Sequence, residues 1–267
     1  MIVILIFALL ALICLLLMIS TLWVHYTHVH LGKPSANKLT VVQITDLHGR
    51  TRFMNGSLSQ LVNKVKPGYV MVTGDLASRL PSFHNVLAEV RRITCPHRYF
   101  VPGNHERQEL VSRQRRRYSQ DEYAQILRMV EAANLKVLSN QGTSIQISDK
   151  RILIYGFDNS INKEEQLTLT AEDIQQYDYV IMLAHSPSII HTALSGKVPW
   201  DLLLVGHTHG GQIRLLDRTI GAYKHCHVGL KALDSRKMFY INRGLGTARI
   251  PIRWACPPEI AVFHIYL

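Results

Sequence analysis

Charge is missing from the start of this chain. No Asp, Glu, Lys or Arg occurs between Ile2 and Val24, and the first lysine is Lys33. About 20 apolar residues cross a hydrocarbon core of roughly 30 Å, so the stretch is long enough to span a bilayer. A basic n-region, a clear small-x-small cleavage site and twin arginines are absent too, which argues against an export signal and for an uncleaved anchor. Cysteine is scarce: Cys14, Cys95, Cys226 and Cys256 show no CxxC or paired spacing, which excludes a disulfide framework and a zinc knuckle. No internal repeat or low-complexity tract occurs. Acidic residues are outnumbered, 19 Asp and Glu against 30 Lys and Arg, for a net charge of +11. That balance calls for an anionic partner: a phosphorylated substrate, acidic lipid headgroups or nucleic acid.

What remains is enough for one full domain, since 267 residues at 47% hydrophobic content can bury a sizeable core. The chain reads as a transmembrane anchor over 1–26, a linker over 27–37 and a single domain over 38–267. Trp23 and Tyr26 are expected at the membrane interface. His25, Tyr26, His28 and His30 read as a polar juxtamembrane spacer, with metal binding by the histidines as the alternative. Strands predicted over 39–45, 69–73 and 97–101 alternate with helical spacing over 57–65 and 82–93. That rhythm predicts a parallel sheet with function at the carboxyl ends of its strands. Residues 106–137 read as a charged helical insertion carrying Arg113, Arg115, Arg116 and Arg117. It is either a solvated helix face or a cap that grips acidic headgroups. Further strands are predicted over 137–138, 144–147, 152–155, 179–183 and 202–205, with a helix over 170–176 capped by Thr170. The last runs, 212–215, 238–242 and 259–266, predict a second, mostly antiparallel sheet.

The chemistry gathers at strand ends. Gly206-His207-Thr208-His209-Gly210-Gly211 follows the apolar run 202–205 and presents two imidazoles one residue apart, among glycines that allow a tight turn. Asp46 and His48 follow the run 39–44, Asp75 follows 69–72, Asn104 and His105 follow 99–101, and His185 follows 180–183. Five loops therefore offer carboxylate, amide or imidazole donors.

Asp46-x-His48, Gly74-Asp75, Gly103-Asn104-His105-Glu106, His185 and Gly206-His207-x-His209, in this order, resemble the calcineurin-like metallophosphoesterases. The resemblance runs from residue 38 to the C-terminus and implies an α/β fold, a four-layer αββα sandwich with a dinuclear metal centre, here behind an N-terminal transmembrane helix. Carried over by position, it implies that Asp46, His48 and His209 bind one metal and Asn104, His185 and His207 the other, with Asp75 bridging. Carboxylate, amide and imidazole without thiolate suit two divalent ions, Mn²⁺ first, with Fe or Zn²⁺ as alternatives. The implied reaction is hydrolysis of a phosphoester or pyrophosphate bond by a metal-bridged hydroxide, and His105 is the implied catalytic residue, stabilising the transition state or protonating the leaving oxygen.

Protein Ser/Thr phosphatases of this superfamily carry an Asp three residues after the bridging Asp. Here that position is Ser78, which disfavours that class. The tyrosine of purple acid phosphatases is missing from Leu76-Ala77-Ser78 as well. Asn242-Arg243-Gly244-Leu245-Gly246-Thr247, Arg253 and Pro257-Pro258-Glu259 resemble the bacterial membrane-anchored branch of YkuE-like proteins. Some relatives hydrolyse the pyrophosphate of UDP-2,3-diacylglucosamine, so the resemblance implies a lipid-linked or nucleotide-linked phosphorylated substrate. Arg243, Arg249 and Arg253 are the candidate substrate-binding residues, with a plain surface role as the alternative for each. A nucleic-acid or cyclic-nucleotide phosphodiesterase and a non-catalytic membrane metal-binding scaffold are the other readings; nucleic acid is the less favoured partner. Lys33 and Lys38 flank the apolar stretch on its C-terminal side, which predicts a catalytic domain on the cytoplasmic face of the cell membrane.

Overall fold

Successive side chains of a strand point to opposite faces, and the strand Lys38–Ile44 buries both. Leu39 and Val41 enter one apolar cluster while Val42 and Ile44 enter another. The computed structural model describes residues 1–111, 114–195, 199–216, 218–219 and 227–267; Arg113 and Cys226 lie outside them. Among these, two six-stranded sheets stack face to face. The first has the order His25–Leu31, Glu259–Tyr266, Lys38–Ile44, Tyr69–Val72, His97–Phe100, Lys136–Val137. The second has the order Gln141–Ile147, Lys150–Gly156, Tyr179–Leu183, Leu202–Val205, Met238–Ile241, Gly229–Ala232.

Three apolar layers hold this arrangement. Met71, Val101, Ile154, Leu183 and Phe263 are among the side chains filling the space between the sheets. The helices Leu58–Val65, Leu80–Arg91 and Gln120–Ala132 cover the outer face of the first sheet through Leu61, Phe83, Ile126 and their neighbours. Ala171–Gln175 and Ile189–Ser195 cover the second through Ile174 and Ile189, beside the fully buried Trp200. The result is helix, sheet, sheet, helix. Thr170 caps its helix as expected, its hydroxyl accepting from the Asp173 amide at 3.2 Å.

The last predicted strands go elsewhere than expected. Met238–Ile241 joins the second sheet parallel to Leu202–Val205, and Glu259–Tyr266 returns to the first sheet antiparallel to Lys38–Ile44. Arg214–Leu215 pairs with Arg218–Thr219 in a two-stranded ribbon of its own among the described residues. Alternation tells a strand which faces are buried; the neighbour it pairs with is set by register and packing. The insertion also differs. It opens with a hairpin, Gln108–Val111 with Gln114–Arg117, before the helix Gln120–Ala132.

The segment read as spacer and linker belongs to the domain. His25–Leu31 forms the edge strand of the first sheet, parallel to Glu259–Tyr266, with Val29 and Leu31 buried between the sheets. Tyr26 donates to the Leu61 carbonyl at 2.8 Å, so it packs on a helix of the domain. Its pairing partner lies more than 200 residues away in sequence, so nothing local marks it. The helix Ile2–Leu22 before it is long and apolar enough to cross a membrane. Register fixes where it leaves. His25 pairs with Glu259, and Ala261 with Gln43, so the helix exits level with the carboxyl end of Lys38–Ile44.

Glu89 ties two of the covering helices together. Its buried carboxylate accepts from the Ser59 amide at 3.0 Å, the Ser59 hydroxyl at 2.6 Å and Arg92 at 3.0 Å. Burial alone would raise its pKa, but bonds from Ser57, Ser59 and Arg92 outweigh it and hold the group at about 2. The folded value is depressed, so the stabilisation is complete above the ordinary 4.5 and disappears as pH falls toward 2. Glu89→Gln should therefore lower stability at pH 7 by ~1–3 kcal/mol and flatten the acid limb of a stability–pH curve in that window. Identical acid limbs for the two proteins would overturn this assignment.

Candidate metal centre

The sharp loops at the strand ends are held in an uncommon backbone geometry. Asp46, His48, Asp75, His207 and His209 all have positive φ, between 47° and 70°. A non-glycine residue there costs of order 1–3 kcal/mol, and such residues concentrate at functional sites. Gly206 cannot be replaced, because a Cβ would collide with Thr45 Oγ1 and Asp46 Oδ2.

The donors converge in two groups. In one, His48 Nε2 and His209 Nε2 lie 3.0 Å apart, with Asp46 Oδ1 3.4 Å from His209 and 3.9 Å from His48. In the other, His207 Nδ1 is 3.2 Å from His185 Nε2, which is 3.3 Å from Asp75 Oδ2. Asp75 Oδ2 is also 3.7 Å from His48 Nε2, so it stands between the groups. Donor–metal bonds of about 2.0–2.2 Å leave neighbouring donors about 3 Å apart, and this spacing fits.

Each carboxylate divides its oxygens. Asp46 Oδ2 accepts from the His207 amide at 2.9 Å and lies 2.8 Å from the Thr45 hydroxyl, while Oδ1 is buried and makes no hydrogen bond among the described residues. Asp75 Oδ1 accepts from the His105 amide at 2.8 Å, leaving Oδ2 for the centre. Asn104 Oδ1 is likewise buried without a hydrogen bond among the described residues. His185 Nδ1 is 2.7 Å from the Thr73 carbonyl, which can only accept, so a proton sits on Nδ1 and Nε2 is the atom that faces the other donors. Ser78, the position that departs from the protein phosphatases, orients His48: its Oγ is 2.9 Å from His48 Nδ1.

Electrostatics complete the case for cations. Burial is the main cause that lowers His48 and His207 to about 4, and His209 well below its ordinary value, so these imidazoles stay neutral. Burial would raise Asp75, but His185 and His105 hold it well below the carboxylate range. Burial would lower His185; Asp75 beside it prevails and lifts it to about 10. The carboxylates of Asp46 and Asp75 are buried among imidazoles, and two divalent ions fit that donor set.

Sequence reasoning missed the residues that brace these loops. Glu106 is fully buried, and its carboxylate accepts from the amides of Asp75 at 2.9 Å, Leu76 at 2.8 Å and Gly103 at 2.7 Å. It staples the Asp75 loop to the Asn104 loop, and burial followed by the Asp75 charge pushes it up to about 7. The only signal was its place after Asn104 and His105. Of the arginines expected to bind substrate, Arg253 is fully buried and cannot do so. Its guanidinium donates to the carbonyls of Gly246 at 2.6 Å, Arg243 at 2.8 Å and Cys256 at 3.1 Å, and reaches His209 Nδ1 at 3.4 Å. Arg243 is spent on Glu259 at 2.9 Å. Arg249 alone of the three is exposed. In the insertion, Arg116 pairs with Glu109 and Glu122, each at 2.8 Å, and Arg117 with Glu164, which weakens a headgroup-gripping role.

A family model for calcineurin-like phosphoesterases matches residues 39–211. The chain belongs to the calcineurin-like phosphoesterase family. Within that family it is similar to the Bacillus subtilis metallophosphoesterase YkuE, 26% identical over 239 residues, covering 84% of this chain and 78% of YkuE. A bovine transmembrane protein with a metallophosphoesterase domain is 27% identical over 254 residues. The match covers 87% of this chain and 54% of the bovine protein, so the chain spans about half that relative's length. The sulfate thiohydrolase SoxB of Thermus thermophilus shares the fold, with a TM-score of 0.52 at 12% identity, over 88% of this chain and 57% of SoxB. As a calcineurin-like phosphoesterase the protein is a metal-dependent hydrolase of phosphorylated substrates.

Arg253 gives this family member a measurable brace. Arg253→Met leaves at least three carbonyls unpaired and should lower stability by about 3 kcal/mol or more. An unchanged unfolding midpoint for the full chain in detergent would show that those contacts contribute nothing.

Proposed function

We propose that this protein is a membrane-anchored, dinuclear metal-dependent phosphoesterase that cleaves a phosphoester or pyrophosphate bond of a lipid-linked or nucleotide-linked substrate. UDP-2,3-diacylglucosamine-type pyrophosphates are included in that class. Asp46, His48 and His209 would hold one ion and Asn104, His185 and His207 the other, with Asp75 between them. The observation that carries this reading is the position of Asp75 Oδ2, within 3.7 Å of His48 Nε2 and 3.3 Å of His185 Nε2. Two such ions, Mn²⁺ foremost with Fe or Zn²⁺ as alternatives, supply Lewis acidity to phosphate oxygens and activate water.

The chain's own contribution is positioning and proton transfer. The His105 ring packs edge-on against His48, with centroids 4.8 Å apart. Its Nδ1 is buried and makes no hydrogen bond among the described residues, which suits a group that delivers a proton to a leaving oxygen. The apolar helix Ile2–Leu22 leaves the domain at the end of the sheet that carries the centre, which favours a substrate held in the membrane. Lys33 and Lys38 support a cytoplasmic domain.

The test is a substrate panel on the full chain in lipid nanodiscs, with Mn²⁺, Zn²⁺ and Fe²⁺ compared. Turnover of a lipid-linked phosphoester or pyrophosphate well above that of soluble nucleotides and oligonucleotides is expected. Preference for DNA or RNA would overturn the substrate class, and bound metal without turnover of any phosphoester would overturn the enzyme. Protease added outside sealed right-side-out vesicles should spare the domain.

A further inference from the structure

We propose that the loops around the exit of the helix Ile2–Leu22 form a collar seated in the headgroup layer of the bilayer, so that the metal centre opens onto the lipid surface. The proposal rests on the membrane-anchored reading above. Among the described residues beyond residue 22, ten large hydrophobic side chains are exposed, and six of them are Trp23, Met54, Leu215, Leu216, Ile250 and Trp254.

These six come from distant parts of the sequence but are tied to one place. The Met54 amide donates to the Leu22 carbonyl at 2.9 Å, and the Arg253 amide to the Thr21 hydroxyl at 2.9 Å, both on the last turn of the helix. Trp254 bonds through its amide to the Gln212 carbonyl and through its carbonyl to the Arg214 amide, at 2.9 and 3.0 Å. The Gln212 side chain in turn donates to the Ile250 carbonyl at 2.9 Å. An exposed apolar patch of this kind marks an interaction surface.

A lipid surface is the occupant that fits. The patch is continuous with an apolar helix of 21 residues, and two of its members are tryptophans, which favour the membrane interface. The same loops expose Arg52, Arg218 and Arg249, which complement anionic headgroups. Arg253 makes the seat rigid, since one residue joins the last helical turn to His209. The centre is thereby held at a fixed height above the lipid.

Tryptophan fluorescence tests this, because Trp200 is fully buried and serves as a constant background. Full-length Trp23→Phe is placed in nanodiscs of anionic lipid with plain or brominated acyl chains. Emission should fall in the brominated discs, and the fall should vanish in Trp23→Phe/Trp254→Phe. Leu216, 88% exposed, offers a site where folding is not at stake. Leu216→Trp on the double-variant background should restore the quenching. Embedded protein whose Trp254 and Leu216→Trp emission ignores bromination overturns the collar and leaves the anchor standing. Full-length protein that fails to float with lipid vesicles overturns the anchor reading, and the collar with it.

Discussion

Asp75→Ala is expected to strip metal from the protein and reduce turnover by at least about 10³-fold, the scale on which preorganised charge operates in active sites. The residue is 2% exposed and faces both donor groups, so its loss removes the one carboxylate shared between them. Asp75→Asn refines the result. The amide oxygen can still accept from the His105 backbone as Oδ1 does, but the charge is gone. It should fold as well as the parent while losing metal and rate like the alanine variant. Elemental analysis of the purified variants beside their rates decides the matter. Full metal occupancy with a normal rate in either would remove Asp75 from the centre.

His105→Asn should separate chemistry from metal binding. The backbone amide that holds Asp75 is kept, so metal content should match the parent. The value of kcat should fall by roughly 10²–10⁴-fold, the usual contribution of a general acid, with KM little changed. The loss should shrink for nitrophenyl esters, whose leaving groups need little protonation, and be largest for alkyl esters. Equal losses on both would assign His105 an electrostatic role and exclude proton transfer.

The amino-acid sequence by itself determined which loops offer carboxylate, amide and imidazole donors, and the parallel core of the first sheet. Asp46, His48, Asp75, Asn104, His185, His207 and His209 each follow an apolar run, and a buried strand must end in a loop whose polar groups are free to act. Apolar runs interrupted by helical spacing also made the parallel pairing from Lys38–Ile44 to His97–Phe100 legible, because those pairings are between near neighbours in sequence. Long-range pairing was decided only by the tertiary structure. The edge strand His25–Leu31 and the return of Glu259–Tyr266 to the first sheet depend on register between opposite ends of the chain. The same holds for the arginines. Charge and spacing allowed Arg243 and Arg253 to reach a substrate, but Glu259 neutralises the first and a ring of carbonyls encloses the second. A guanidinium's role is set by which acceptors surround it, and those acceptors come together only when the two sheets close.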